Sequence, residues 1–65
     1  MTDIEESMLS ILRDFGGESS AFLMTNADGP WGKLGDSDTL KATMKSLQDQ
    51  GAVAYDADND VVKVA

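Results

Sequence analysis

Apolar residues over the first fifteen positions fall at helical spacing: Ile4, Met8, Ile11, Leu12 and Phe15, with Glu5, Glu6, Arg13 and Asp14 on other faces. This pattern predicts a helix from about residue 3 to 15. Thr2 or Asp3 can cap it, acidic residues suit its first turn, and Gly16-Gly17 stops it. Within Ser19–Thr25, the run Ala21, Phe22, Leu23, Met24 is continuous and too short for periodicity to assign. A strand packed along the C-terminal hairpin is the first expectation for it, and a short helix is the alternative. Asn26-Ala27-Asp28-Gly29-Pro30 is turn chemistry, and Trp31 to Gly35 is an irregular, glycine-rich segment.

Asp36-Ser37-Asp38 supplies caps for a second helix over about 37–50. Leu40, Met44 and Leu47 line its buried face, Lys41, Lys45 and Gln48 a neighbouring one, and Gly51 ends it. A hairpin closes the chain. Pairing Val53 with Val64 and Tyr55 with Val62 puts four apolar residues on one face, with Ala54 opposite Lys63 on the other. Asp58-Asn59 then falls at a two-residue turn.

These elements imply an α+β fold of two main helices and a C-terminal antiparallel hairpin, with a short strand or helix at 19–25 as an optional third element, an arrangement that resembles a small winged-helix domain. With 65 residues the chain makes one domain, residues 1–65. A chain this size buries only about 60% of its unfolded surface, so its core contributes little net stability. It has no cysteine, which removes disulfides and thiolate metal sites and suits a reducing compartment. No apolar run approaches a membrane span, and the acidic opening (Asp3, Glu5, Glu6) is unlike a basic signal peptide. The expectation is a cytoplasmic protein with no membrane partner.

Thr39 to Tyr55 resembles the recognition helix and first wing strand of winged helix-turn-helix proteins. The carrying positions are Leu40, Met44 and Leu47, then Gly51, then Ala52-Val53. The resemblance covers residues of about 39–64, and it implies a regulatory role that includes DNA binding. The second helix such a domain packs before this one is not evident between Ser19 and Gly35. If the resemblance holds, Lys41 and Lys45, with Thr43 and Ser46 on the same helix, are the DNA-contacting candidates, with Lys33 assisting. The competing reading is a solvated helix face whose lysines pair with Asp38 and Asp49.

Charge weighs against DNA. The formal net charge is −7, and a DNA-binding wing would carry Lys or Arg where this hairpin has Asp56, Asp58 and Asp60. These three aspartates begin like an EF-hand loop, yet Val61 stands where that loop needs glycine, so a solvated turn is the favoured reading over a metal site. Trp31 has two readings: a lid folded over the Leu34–Leu40 side, or an exposed interface anchor. Nine aspartates against three glutamates hint at a halophile, whereas four lysines among five basic residues do not.

Catalysis has little to stand on. Without histidine or cysteine the usual general base and the best nucleophile are missing. Gly29-Pro30-Trp31-Gly32-Lys33 lacks the spacing of a phosphate loop, and no cofactor is expected. The leading functional expectation is a non-catalytic regulatory module acting through protein contacts, with DNA, bound as a homodimer, as a further target. The alternative is an acidic phage-type or accessory protein that binds and inhibits a basic protein surface. There the acidic face of Asp3, Glu5, Glu6 and the Asp56, Asp58 and Asp60 tip would do the contacting, and Trp31, if exposed, would be a further protein-contacting residue.

Overall fold

The computed structural model describes all residues, Met1–Ala65. The chain runs through α1 (Asp3–Asp14), β1 (Glu18–Ser20), α2 (Ala21–Met24), a 3-10 turn (Gly32–Leu34), α3 (Ser37–Asp49), β2 (Val53–Asp56) and β3 (Val61–Val64). The three strands form one antiparallel sheet in the order β1-β3-β2. This is the α+β architecture of two long helices and a C-terminal hairpin expected from the residue pattern, and it is compatible with a winged helix.

The two long helices follow from their ends. Thr2 caps α1 in a reciprocal box: its hydroxyl accepts the Glu5 N–H at 3.2 Å, and the Glu5 carboxylate accepts the Thr2 N–H at 2.6 Å. Asp36 caps α3 by accepting the Thr39 N–H at 2.8 Å. Both helices close the same way, through Gly17 N–H to the Leu12 carbonyl and Ala52 N–H to that of Leu47, with Gly16 and Gly51 at positive φ.

Residues 19–25 hold both alternatives in succession. Glu18–Ser20 is drawn into the sheet by β3, with Glu18 opposite Lys63 and Ser19 opposite Val62. Ser20 then caps the single turn of α2, its hydroxyl accepting the Leu23 N–H at 3.1 Å. The hairpin register matches the apolar alternation: Val53 faces Val64, Tyr55 faces Val62, and Ala54 faces Lys63. Its turn differs. The ladder ends at the Asp56–Val61 pair, and the residue at positive φ is Asp60, not Asp58 or Asn59. Asp56 organises the loop by accepting N–H groups from Asp58 and Asn59 and the Asn59 side-chain amide.

The core comprises Met8, Leu9, Leu12, Ala21, Met24, Trp31, Leu40, Leu47, Val53 and Val62. Helix α1 turns inward on a face shifted from the one expected. Glu5 and Leu9 are buried, whereas Phe15 is 44% exposed. Trp31 folds down into the core and is fully buried, which sets aside the exposed-anchor alternative. Its indole N–H donates to the Met8 carbonyl at 3.1 Å, and the Phe15 ring covers it with centroids 5.0 Å apart. The backbone must pass tightly to bring it there. A Cβ on Gly32 would lie 1.8 Å from the Ala27 carbonyl oxygen, so only glycine fits beneath the 26–30 turn.

Candidate interaction surface

The outward side of α3 carries Lys41 and Lys45, both exposed. Lys45 Nζ lies 3.4 Å from Asp49 Oδ1, an exposed i,i+4 pair. Lys41 makes no ion pair, with Asp38 or with any other carboxylate. Lys33 stands exposed on the 3-10 turn. Thr43 does not belong with them. It is 6% exposed, and its hydroxyl donates back to the Thr39 carbonyl at 2.7 Å. Three residues after Leu40, it lies with Leu40 and Leu47 on the buried face of α3, so it has no side chain to offer a ligand.

The hairpin tip separates into structural and free aspartates. Asp56 holds the turn as described, and its carboxyl is pushed below the usual range, chiefly by the hydrogen bond from Asn59. Asp60 ties three elements together. Its carbonyl accepts the Ala21 N–H and its carboxylate accepts the Phe22 N–H, each at 3.2 Å; the other carboxylate oxygen accepts the Tyr55 hydroxyl at 3.0 Å. With Ser20 taking the Leu23 N–H, the opening donors of α2 are satisfied largely from the wing. The neighbouring carboxylate raises the Tyr55 phenol above its ordinary value. Only the Asp58 side chain has no hydrogen-bonding duty in the tip.

Between α2, the turn after it and the start of α3 lies an open groove of about 440 Å³, lined by Phe22, Thr25, Asn26, Ala27, Ser37 and Lys41. Phe22 is its wall and is 72% exposed, the most exposed large apolar side chain of the molecule. The polar groups of the lining are mostly occupied. The Ser37 hydroxyl donates to the Thr25 carbonyl at 3.0 Å, the Thr25 hydroxyl donates to the Ala21 carbonyl at 2.8 Å, and the Asn26 side-chain amide oxygen accepts the Asp28 N–H at 2.9 Å. The Lys41 ammonium alone is an uncommitted charge there.

Phe22 was hidden in the sequence inside an apolar run that looked uniformly buried. A serine cap at Ser20 places Phe22 at the second position of α2, with Ala21 and Met24 facing inward. The cap was visible in the sequence; the wing carboxylate that completes it was not. No group of three or more acidic, histidine or cysteine side chains is arranged to hold a metal ion. No helix is long and apolar enough to cross a membrane. No protein-family model matches the chain, and neither a curated protein nor a solved structure matches it.

Proposed function

We propose that the protein is a non-catalytic regulatory module of winged-helix type that acts through protein contacts. The carrying observation is the exposed Phe22 beside α3, on a molecule whose equivalent of a DNA-binding face is poor in free positive charge. Lys45 is shared with Asp49, Thr43 points inward, and the wing presents Asp56, Asp58 and Asp60. Releasing counterions with two or three lysines contributes little affinity for a duplex, and a chain of net charge −7 is repelled by phosphate. An exposed phenylalanine among polar residues suits a protein interface.

DNA contact is the second reading, supported by the sheet order β1-β3-β2 behind an α3 that keeps Lys41 and Lys45 exposed. Lys33 would assist, and a homodimer would double the contacts. An amide chemical-shift titration with mixed-sequence duplex DNA at low salt separates the two. A flat titration is the expected result. Shifts confined to Lys41–Gln48 that fade with added salt, and that disappear in Lys41→Glu with Lys45→Glu, would establish DNA binding instead.

A further inference from the structure

The groove beside Phe22 has a chemistry that narrows the class of partner. Its centre is apolar: the Phe22 ring, Ala27 and the aliphatic stem of Lys41 line it, while Ser37, Thr25 and Asn26 have hydrogen-bond partners within the fold. Its margin is acidic. Asp28 follows Asn26 and Ala27 in the turn, Asp36 and Asp38 flank Ser37, and Asp60 holds the Phe22 N–H. Asp36 is firmly ionised, because the Thr39 N–H holds its carboxyl below the usual range. Four acidic residues thus adjoin the groove's lining, three as sequence neighbours of Ala27 and Ser37 and one by its hydrogen bond to the Phe22 N–H, while the lining itself holds one lysine. An apolar centre with a charged border is the anatomy of a protein interface, where the centre supplies affinity and the border supplies orientation and encounter rate.

From this charge complementarity we infer that the groove receives a large apolar side chain from a basic segment of a protein partner, with Lys or Arg residues of that segment facing Asp28 and Asp38. The inference rests on the protein-contact reading above and names the partner's chemistry. Nucleic acid is disfavoured at the same place by the same four carboxylates. A second copy of the chain would bring the same acidic margin against itself.

The test is a displayed library of random dodecapeptides selected on the full-length protein. Asp28 and Asp38 suit charge reversal, since both are exposed and neither side chain holds a structural hydrogen bond. Phe22→Ala keeps the fold because the ring is mostly exposed, and circular dichroism verifies this. The expected peptides carry one large apolar residue flanked by Lys or Arg, and they shift the amides of Phe22, Thr25, Ala27 and Lys41. Their affinity falls by roughly tenfold or more in Phe22→Ala. It falls again in Asp28→Lys with Asp38→Lys, and with rising salt.

Peptides that bind wild type and Phe22→Ala alike overturn the groove assignment and leave the protein-contact reading standing. A library that yields no binder overturns the inference of a basic segment and leaves the protein-contact reading standing, because dodecapeptides do not sample a folded partner surface. Enriched peptides without basic residues overturn the assigned chemistry. Duplex DNA that shifts the groove amides makes the face a nucleic-acid surface. Self-association in sedimentation that Phe22→Ala abolishes makes the occupant a second copy.

Discussion

The carboxylate of Glu5 on α1 accepts a hydrogen bond from the hydroxyl of Ser46 on α3, joining residues 41 positions apart. Gln50 adds a second donor at 2.9 Å, and the Thr2 N–H a third at 2.6 Å. The start of one helix is thereby fastened to the end of the other through a glutamate that is only 6% exposed as a residue. These donors, with Ser46 foremost, hold the Glu5 carboxyl at about 2, down from its ordinary 4.5. A carboxyl depressed in the folded state stabilises above its unfolded value and loses that contribution as pH falls through the folded one. The melting temperature of the wild type should therefore drop between pH 4.5 and about 2. In Glu5→Gln it should start lower at neutral pH and show a shallower fall over that window. Parallel wild-type and variant curves in thermal melts across that range would remove the assignment.

Asp60 and Asp58 sit two residues apart in the same acidic tip and should behave differently. Asp60→Ala loses the bonds to Phe22 and Tyr55 and puts alanine at a φ of 53°. Losing charged hydrogen bonds and adopting a left-handed backbone together cost about 2–4 kcal/mol. Asp58→Ala removes no bond and should stay within about 0.5 kcal/mol of wild type. Urea denaturation measures both. Asp60→Asn offers a further check, because Asp60 is the first cause of the raised Tyr55 phenol. In that variant the single tyrosine should titrate closer to its ordinary value; an unchanged spectrophotometric titration would dissociate Tyr55 from Asp60.

Trp31 carries more of the core than any other side chain. It is the largest fully buried residue, and its N–H is matched to the Met8 carbonyl. Trp31→Phe should cost about 1–3 kcal/mol through lost volume and the lost hydrogen bond. Trp31→Ala should cost about 3–5 kcal/mol, comparable with the whole stability of a domain this small, and leave it unfolded. As the single tryptophan, it also reports directly. Its emission should be blue-shifted and protected from iodide quenching in the native protein. Solvent-exposed emission from the folded chain would contradict its burial.

What the residue pattern revealed and what it hid divide along the range of the interactions. Helices α1 and α3 and the β2–β3 register depend on spacing, caps and alternation within a few residues, and all three lie within a residue or so of the expected positions. The strand Glu18–Ser20 is polar and exists because β3 pairs with it from more than forty residues away. The single turn of α2 depends on Asp60 in the same way, so no window around Phe22 could show it. Glu5 looked like a solvated helix residue because its charge was weighed alone. The Thr2-x-x-Glu5 capping box was present in the sequence and marks the side chain as one that turns back toward the helix start. Residue type alone gives Thr43 an outward role and leaves Trp31 open between an inward lid and an exposed anchor; packing decides for both, since each is buried against the core.

The excess of acidic residues has a physical reading that salt can test. Glu5, Asp36, Asp56 and Asp60 accept donors within the fold and need no ions to hold them in place. The remaining carboxylates are exposed and few are paired, with Glu18–Lys63 and Asp49–Lys45 the ion pairs of the molecule. Their mutual repulsion weakens the fold at low ionic strength, and at ~0.1 M salt a screening length of ~10 Å already removes most of it. The melting temperature should therefore rise with salt mainly below about 0.2 M and change little beyond, with the protein folded throughout. A chain whose acidity served solvation in brine would instead unfold below about 1 M salt, where screening of simple repulsion is long complete. Thermal melts in potassium chloride across that range distinguish the two, and loss of the native fold at low salt would make the acidity an adaptation to brine rather than a surface for a basic partner.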